Sequence, residues 1–153
     1  IVGCADSRVP PELLFDQGFG DLFVIRIAGN VIGTNVAASI EYGVMHLATP
    51  LVMVLGHSGC GAVTAALSPD VSNEPKDMGR LLSAIQPALD AVDRELPMHE
   101  QVAQGVVANV HYGVDKLKQI PDLAAASCSH QALWLGAGYH RNSGKVELIS
   151  PGA

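Results

Sequence analysis

Leu51-Val52-Met53-Val54-Leu55 is an unbroken apolar run, closed by Pro50 on one side and Gly56 on the other. A strand with one face in water alternates apolar and polar residues; an unbroken run predicts a strand covered on both faces, as in a parallel sheet. Helical segments must then flank it, and the spacing predicts them. Val36, Ile40, Val44 and Leu47 share one face over residues 35–47, with Thr34 or Asn35 as the cap. Leu81, Ile85, Leu89 and Val92 do the same over 78–95, which Pro97 ends. A third helix is expected over 99–119 from Val102, Val106, Val110, Val114 and Leu117. A glycine-rich turn over 56–61 leads into a short helix over 62–67, followed by a polar loop over 68–77.

Residues 1–3 read as the tail of a strand, 22–27 and 132–137 as further strands, and 145–149 as the partner of a hairpin turning at Asn142-Ser143-Gly144. The expectation is an α/β fold: a mostly parallel β-sheet flanked by helices, with a C-terminal hairpin adding an antiparallel edge strand. One domain is expected over 1–153.

Charged residues are only 16% of the chain and the formal net charge is −6, with no basic cluster. Nucleic acid and anionic membrane surfaces are therefore not expected partners. No apolar run approaches the ~20 residues of a membrane span. Three cysteines argue against a disulfide framework. A reducing, cytoplasmic setting is the expectation.

Two of those cysteines carry the chemistry. Cys4-Ala5-Asp6-Ser7-Arg8 and His57-Ser58-Gly59-Cys60 each follow a predicted strand, where open parallel sheets place their sites. Together they offer two thiolates and one imidazole. Structural zinc sites close with a fourth Cys or His, whereas catalytic ones keep a position for water. Zinc makes hydroxide available near neutral pH. Two thiolates cancel the ion's charge, so activity is expected to rise on the alkaline side. Asp6 can accept the hydroxide's remaining O–H as a hydrogen bond and turn its lone pair toward a carbonyl-like carbon, and Arg8 can hold Asp6 in a charge-assisted pair.

The segments Cys4-Ala5-Asp6-Ser7-Arg8-Val9-Pro10, Phe23-Val24-Ile25-Arg26-Ile27-Ala28-Gly29-Asn30, Ser39-Ile40-Glu41-Tyr42 and Gly56-His57-Ser58-Gly59-Cys60-Gly61 resemble the β-class carbonic anhydrases. A weaker likeness runs through the terminal hairpin, from Gly138-Tyr139 to Gly144-Lys145-Val146. The resemblance implies one zinc per chain on Cys4, His57 and Cys60, with Asp6 and Arg8 as the catalytic dyad. It implies reversible hydration of carbon dioxide to bicarbonate, and a homodimer or dimer of dimers. It places Ser7, Phe23, Ala28, Tyr42 and Gly61 around the substrate; Ala28, smaller than the valine usual there, makes a roomier pocket. The helical arm that precedes the first strand in family members, with its substrate-binding glutamine, is not expected here. Some similar proteins let the aspartate occupy zinc's fourth position at low pH, and Asp6 beside Arg8 offers the same switch.

Plainer readings stand beside these. Cys4 and Cys60 as buried thiols, Asp6 and Arg8 as a surface ion pair, and the 56–61 turn as a phosphate cradle without a P-loop lysine are the alternatives. Arg26 is expected to pair with a carboxylate such as Glu41. Tyr42 falls on an apolar helix face and is either core or pocket. His46, His99, His111, His130 and His140 are expected at the surface, with proton transfer as the sharper role. Cys128 is expected to be a small filler near a helix end. Two other functions remain open at this point: hydrolysis of carbon disulfide or carbonyl sulfide on the same fold, and a non-enzymatic zinc module.

Overall fold

A computed structural model describes residues 1–69, 73–129 and 132–149. Five strands form one sheet: β1 (Val2–Gly3), β2 (Ile25–Arg26), β3 (Leu51–His57), β4 (Leu133–His140) and β5 (Lys145–Ile149). Their order is β2-β1-β3-β4-β5, parallel except for the antiparallel β4–β5 hairpin. The helices are α1 (Pro11–Leu14), α2 (Thr34–His46), α3 (Gly61–Leu67), α4 (Lys76–Ile85), α5 (Met98–Gln119) and α6 (Pro121–Cys128).

β3 is covered on both faces, as its unbroken apolar run requires. Val52 and Val54 enter a cluster with Val36, Ile40 and Val44 of α2, Val110 and Leu117 of α5, and Leu123 of α6. Met53 and Leu55 enter another with Ala137, against Ile1, Phe15 and Val146. Helix α5 lies very close to the sheet: a Cβ on Gly56 would meet Cγ2 of Val110 at 2.6 Å. Only glycine permits that approach. A third cluster joins α3, α4 and the first half of α5 around Cys4 and Cys60.

Several expectations need correction. The segment 78–95 is not one helix: α4 ends at Ile85 and a 3₁₀ turn follows over Gln86–Leu89. Pro87 supplies no N–H and its ring opposes the preceding turn, so the α-helix stops while Leu89 still reaches the core. Helix α2 starts on Gly33 with no side-chain cap, so neither Thr34 nor Asn35 caps it; both lie inside the helix. Of its predicted face, Val36, Ile40 and Val44 are buried and Leu47 is exposed, because Leu47 lies past the last turn. The strand expected over 22–27 shortens to two residues at the sheet edge. Two helices went unpredicted, α1 and α6. Each begins on a proline at its first position, a start signal the chain displays at Pro11 and Pro121.

Candidate metal centre and active site

β1 and β3 are neighbours, with Gly3 in register with Leu55, and both point the same way. β2 lies outside β1 while β4 lies outside β3, so the chain order reverses between them. That switch point opens a crevice at the carboxyl ends of the strands. Cys4 is the first residue after β1 and His57 the last of β3. Cys60 follows one turn later, immediately before α3. Gly59 makes that turn at φ 63°, a conformation costly for a residue with a Cβ.

The three candidate ligands converge. One donor atom from each of Cys4, His57 and Cys60 lies within 4.8 Å of the others, and all three residues are buried. The two sulfurs are 4.0 Å apart. A disulfide needs ~2.05 Å. Two Zn–S bonds of ~2.3 Å at a tetrahedral angle separate their sulfurs by ~3.8 Å. Nδ1–H of His57 donates to the carbonyl of Ser58 at 3.2 Å, leaving Nε2 as the free lone pair. That Nε2 is buried and has no hydrogen-bond partner. An orphaned buried nitrogen beside two thiols is costly unless a cation completes it, so the residues fit zinc.

The two thiols differ in how readily they ionise. The Cys60 thiol donates to Cys4 and pulls its pKa down, while the backbone N–H of Asp6 faces the Cys4 sulfur at 3.5 Å. Donating to Cys4 raises Cys60 in turn, and burial adds to the rise; N–H groups of Ala62 and Val63 at the start of α3 work against it. The pair thus favours the thiolate on Cys4 over the one on Cys60. A dication bound here would offset the cost of ionising both.

Asp6 and Arg8 form a fork. Nε–H of Arg8 donates to Oδ1 of Asp6 at 2.8 Å, Nη2–H donates to Oδ2 at 2.5 Å, and the Arg8 backbone N–H donates to Oδ1 at 3.0 Å. These bonds hold the Asp6 carboxyl well below the usual carboxylate range. Oδ2 lies 3.9 Å from Nε2 of His57, which sets the carboxylate at the edge of the ligand cluster. Arg26 does not pair with Glu41. Its guanidinium donates to the carbonyls of Cys4, at 2.9 Å, and Asp6, because the chain bends across it on leaving β1. It therefore braces the loop carrying ligand and dyad.

The expected substrate residues do not gather within one chain. Ser7 is exposed beside the dyad. Ala28 and Gly61 line a largely apolar cleft of about 420 Å³ with Ala62, Ala65, Met78, Leu81 and Leu82. Phe23 and Tyr42 stand elsewhere, near the β2 edge, their rings 6.3 Å apart. Tyr42 is 52% exposed, so it is not core. His46, stacked 5.3 Å from Tyr42, is exposed, as are His99 and His140 beside Glu100 and Glu147. His111 is half-buried, and His130 lies outside the described residues. Cys128 is exposed at the end of α6 and fills nothing.

Two supports went unpredicted. Asn109 is buried on the valine stripe of α5 and donates to the carbonyl of Gly29 at 2.8 Å. A polar residue directly before Val110 on an apolar face was the available signal. Arg141, just past β4, bonds to Ser58; nothing in its local sequence pointed there.

Residues 1–146 match the family model described as carbonic anhydrase. A carbonic anhydrase of Mycolicibacterium smegmatis is 40% identical over 157 residues, spanning 98% of this chain and 73% of that protein. Among solved structures, a Coccomyxa β-carbonic anhydrase in complex with acetazolamide superposes with TM-score 0.89 at 30% identity, covering 97% of this chain and 69% of that one. One of two tetrameric β-carbonic anhydrases from Sordaria macrospora gives TM-score 0.87 at 27% identity, covering 99% and 80%. With a switch-point Cys-His-Cys cluster and these relatives, the chain belongs to the β-class carbonic anhydrases, zinc lyases that hydrate carbon dioxide.

Proposed function

We propose that Cys4, His57 and Cys60 hold the catalytic zinc, that Asp6 and Arg8 form the working dyad, and that the reaction is CO2 + H2O ⇌ HCO3⁻ + H⁺. The observation that carries this is the partnerless Nε2 of His57, set between two cysteine sulfurs and 3.9 Å from an Arg8-held carboxylate. When bound, zinc is a Lewis acid that makes a hydroxide nucleophile available near neutral pH.

The chain's own residues do the rest. Arg8 keeps Asp6 ionised and occupies its oxygens from one side. The remaining lone pair of Oδ2 accepts an O–H from the nucleophile, which turns the nucleophile's own lone pair toward the substrate carbon. With Asp6 held by three bonds from Arg8, its carboxylate is kept from swinging onto the ligand cluster; release of that fork is the step an acid-closed state would require. Arg26 fixes the backbone of the same loop, so the dyad and the first ligand move as one piece.

The partner reading is a homodimer or dimer of dimers. Exposed Phe23 and Tyr42, which the family resemblance assigns to the pocket, support a site completed between subunits. That two β-carbonic anhydrases of Sordaria macrospora are tetrameric supports this reading. The sulfur-gas alternative is not favoured, since the relatives are carbonic anhydrases.

Stopped-flow hydration of carbon dioxide on zinc-loaded protein, from about pH 6.5 to 9, tests the reading. A zinc-dependent rate that climbs with pH is expected. Turnover of carbonyl sulfide or carbon disulfide without carbon dioxide hydration would overturn it.

A further inference from the structure

The hairpin that closes the sheet reaches back to the metal centre. Ser58 N–H donates to the carbonyl of Tyr139 at 2.9 Å. The Arg141 backbone N–H donates to Oγ of Ser58 at 3.0 Å, and its Nε–H donates to the Ser58 carbonyl at 2.6 Å. That carbonyl is the one accepting Nδ1–H of His57. A carbonyl has two lone pairs, so both donors are satisfied at once. The guanidinium also lies across Gly59: a Cβ there would meet Nη2 of Arg141 at 2.5 Å. Among the described residues Arg141 pairs with no carboxylate, so its fork is spent on this loop.

We propose that Arg141 is a positioning residue for zinc. It pins the Ser58 carbonyl, which fixes the rotation and tautomer of the His57 ring, and it presses the Ser58–Gly59 turn into the shape that brings Cys60 alongside. Loss of the outer partner of a metal-ligating histidine typically costs ~10–100-fold in metal affinity. Here that partner is itself held by a cation from the β4–β5 turn, so the effect should travel one bond further. The proposal rests on the metal reading above, and zinc stoichiometry of the parent protein tells the two apart: a parent that binds no zinc defeats the metal assignment and this role with it, whereas a zinc-binding parent leaves Arg141 to be judged by its variants.

The experiment compares zinc-loaded parent, Arg141→Met and Arg141→Lys. It measures the rate of zinc loss to excess chelator, the visible spectrum after cobalt substitution, and the melting temperature of the metal-free proteins. The expectation is zinc loss roughly tenfold faster in Arg141→Met, with an altered cobalt spectrum and a metal-free melting temperature close to the parent's. Arg141→Lys should fall between, since it keeps one donor and loses the fork. Parental zinc loss and a parental cobalt spectrum in Arg141→Met would overturn the proposal. So would a drop in metal-free melting temperature that accounts for the whole change. If Arg141→Met does not fold, Gly59→Ala displaces the same guanidinium, and parental zinc retention there overturns it equally.

Discussion

The metal centre and the expected substrate pocket are built on different terms. The first is finished inside one chain: three buried ligands, an orphaned nitrogen and an arginine-held carboxylate converge within a few ångströms. The second is divided. Ala28 and Gly61 line one cleft, while Phe23 and Tyr42 stand exposed near the β2 edge. The difference teaches that the metal cluster needs only the sheet's switch point, whereas the residues expected around the substrate are spread over two separate surfaces of the chain.

The largest effect that tests the contrast is on the ligands. Cys60→Ser replaces a buried thiolate with a hard hydroxyl, so zinc and activity should both be lost, as metal analysis and hydration assays will show. Stoichiometric zinc in that variant would mean the centre is not the three-residue cluster described. Next comes Asp6→Asn, which leaves every ligand in place. Zinc should remain while the hydration rate falls by ~10²–10⁴-fold, because the amide's single oxygen is taken by Arg8 and its NH2 donates where Oδ2 accepted, so the nucleophile loses the acceptor that orients it. A parental rate would remove Asp6 from the mechanism.

Gly56→Ala probes the packing beneath the centre. Its Cβ would drive into Val110, and overpacking of this kind costs ~1–3 kcal/mol, readable by denaturant unfolding. Phe23→Ala probes the other region. If that surface belongs to an interface between copies, the variant should dissociate at higher protein concentration than the parent in sedimentation experiments while keeping full zinc. Loss of zinc without dissociation would join the two regions that the comparison separates.

The smallest effect concerns pH. Arg8 holds the Asp6 carboxyl below its ordinary value of about 4, so the stabilisation from this pair is present above that value and fades as pH falls below it. Asp6 is therefore ionised throughout the neutral range and adds no slope there. In Arg8→Ala the acid unfolding transition, followed by circular dichroism, should begin at higher pH than in the parent. An unchanged transition would mean the fork contributes nothing to stability.

Much of this was legible in the chain because its signals are local. An apolar run without alternation needs cover on both faces, and β3 has it. A Cys directly after one strand and a His-x-x-Cys after the next need only parallel neighbours to meet, and β1 and β3 are parallel neighbours. The hairpin at 145–149 was legible for the same reason, since its turn residues adjoin its strand. Local signals were also available and outweighed where the reading failed: Pro87 sits inside an amphipathic stripe that runs on past it, so the stripe suggested one helix where the backbone makes two.

What the residues determined alone is therefore the chemistry: two thiols, an imidazole, a carboxylate and a guanidinium, at spacings that strand ends can bring together. What only the tertiary structure decided is who supports them. Arg26 turned to the carbonyls of Cys4 and Asp6 instead of to Glu41, Asn109 reached Gly29 across 80 positions, and Arg141 reached Ser58 across 83. Each of these is a side chain meeting a backbone carbonyl. Every residue carries the same carbonyl, so sequence holds no mark of which one will be offered; strand order and the bend of a loop make that choice.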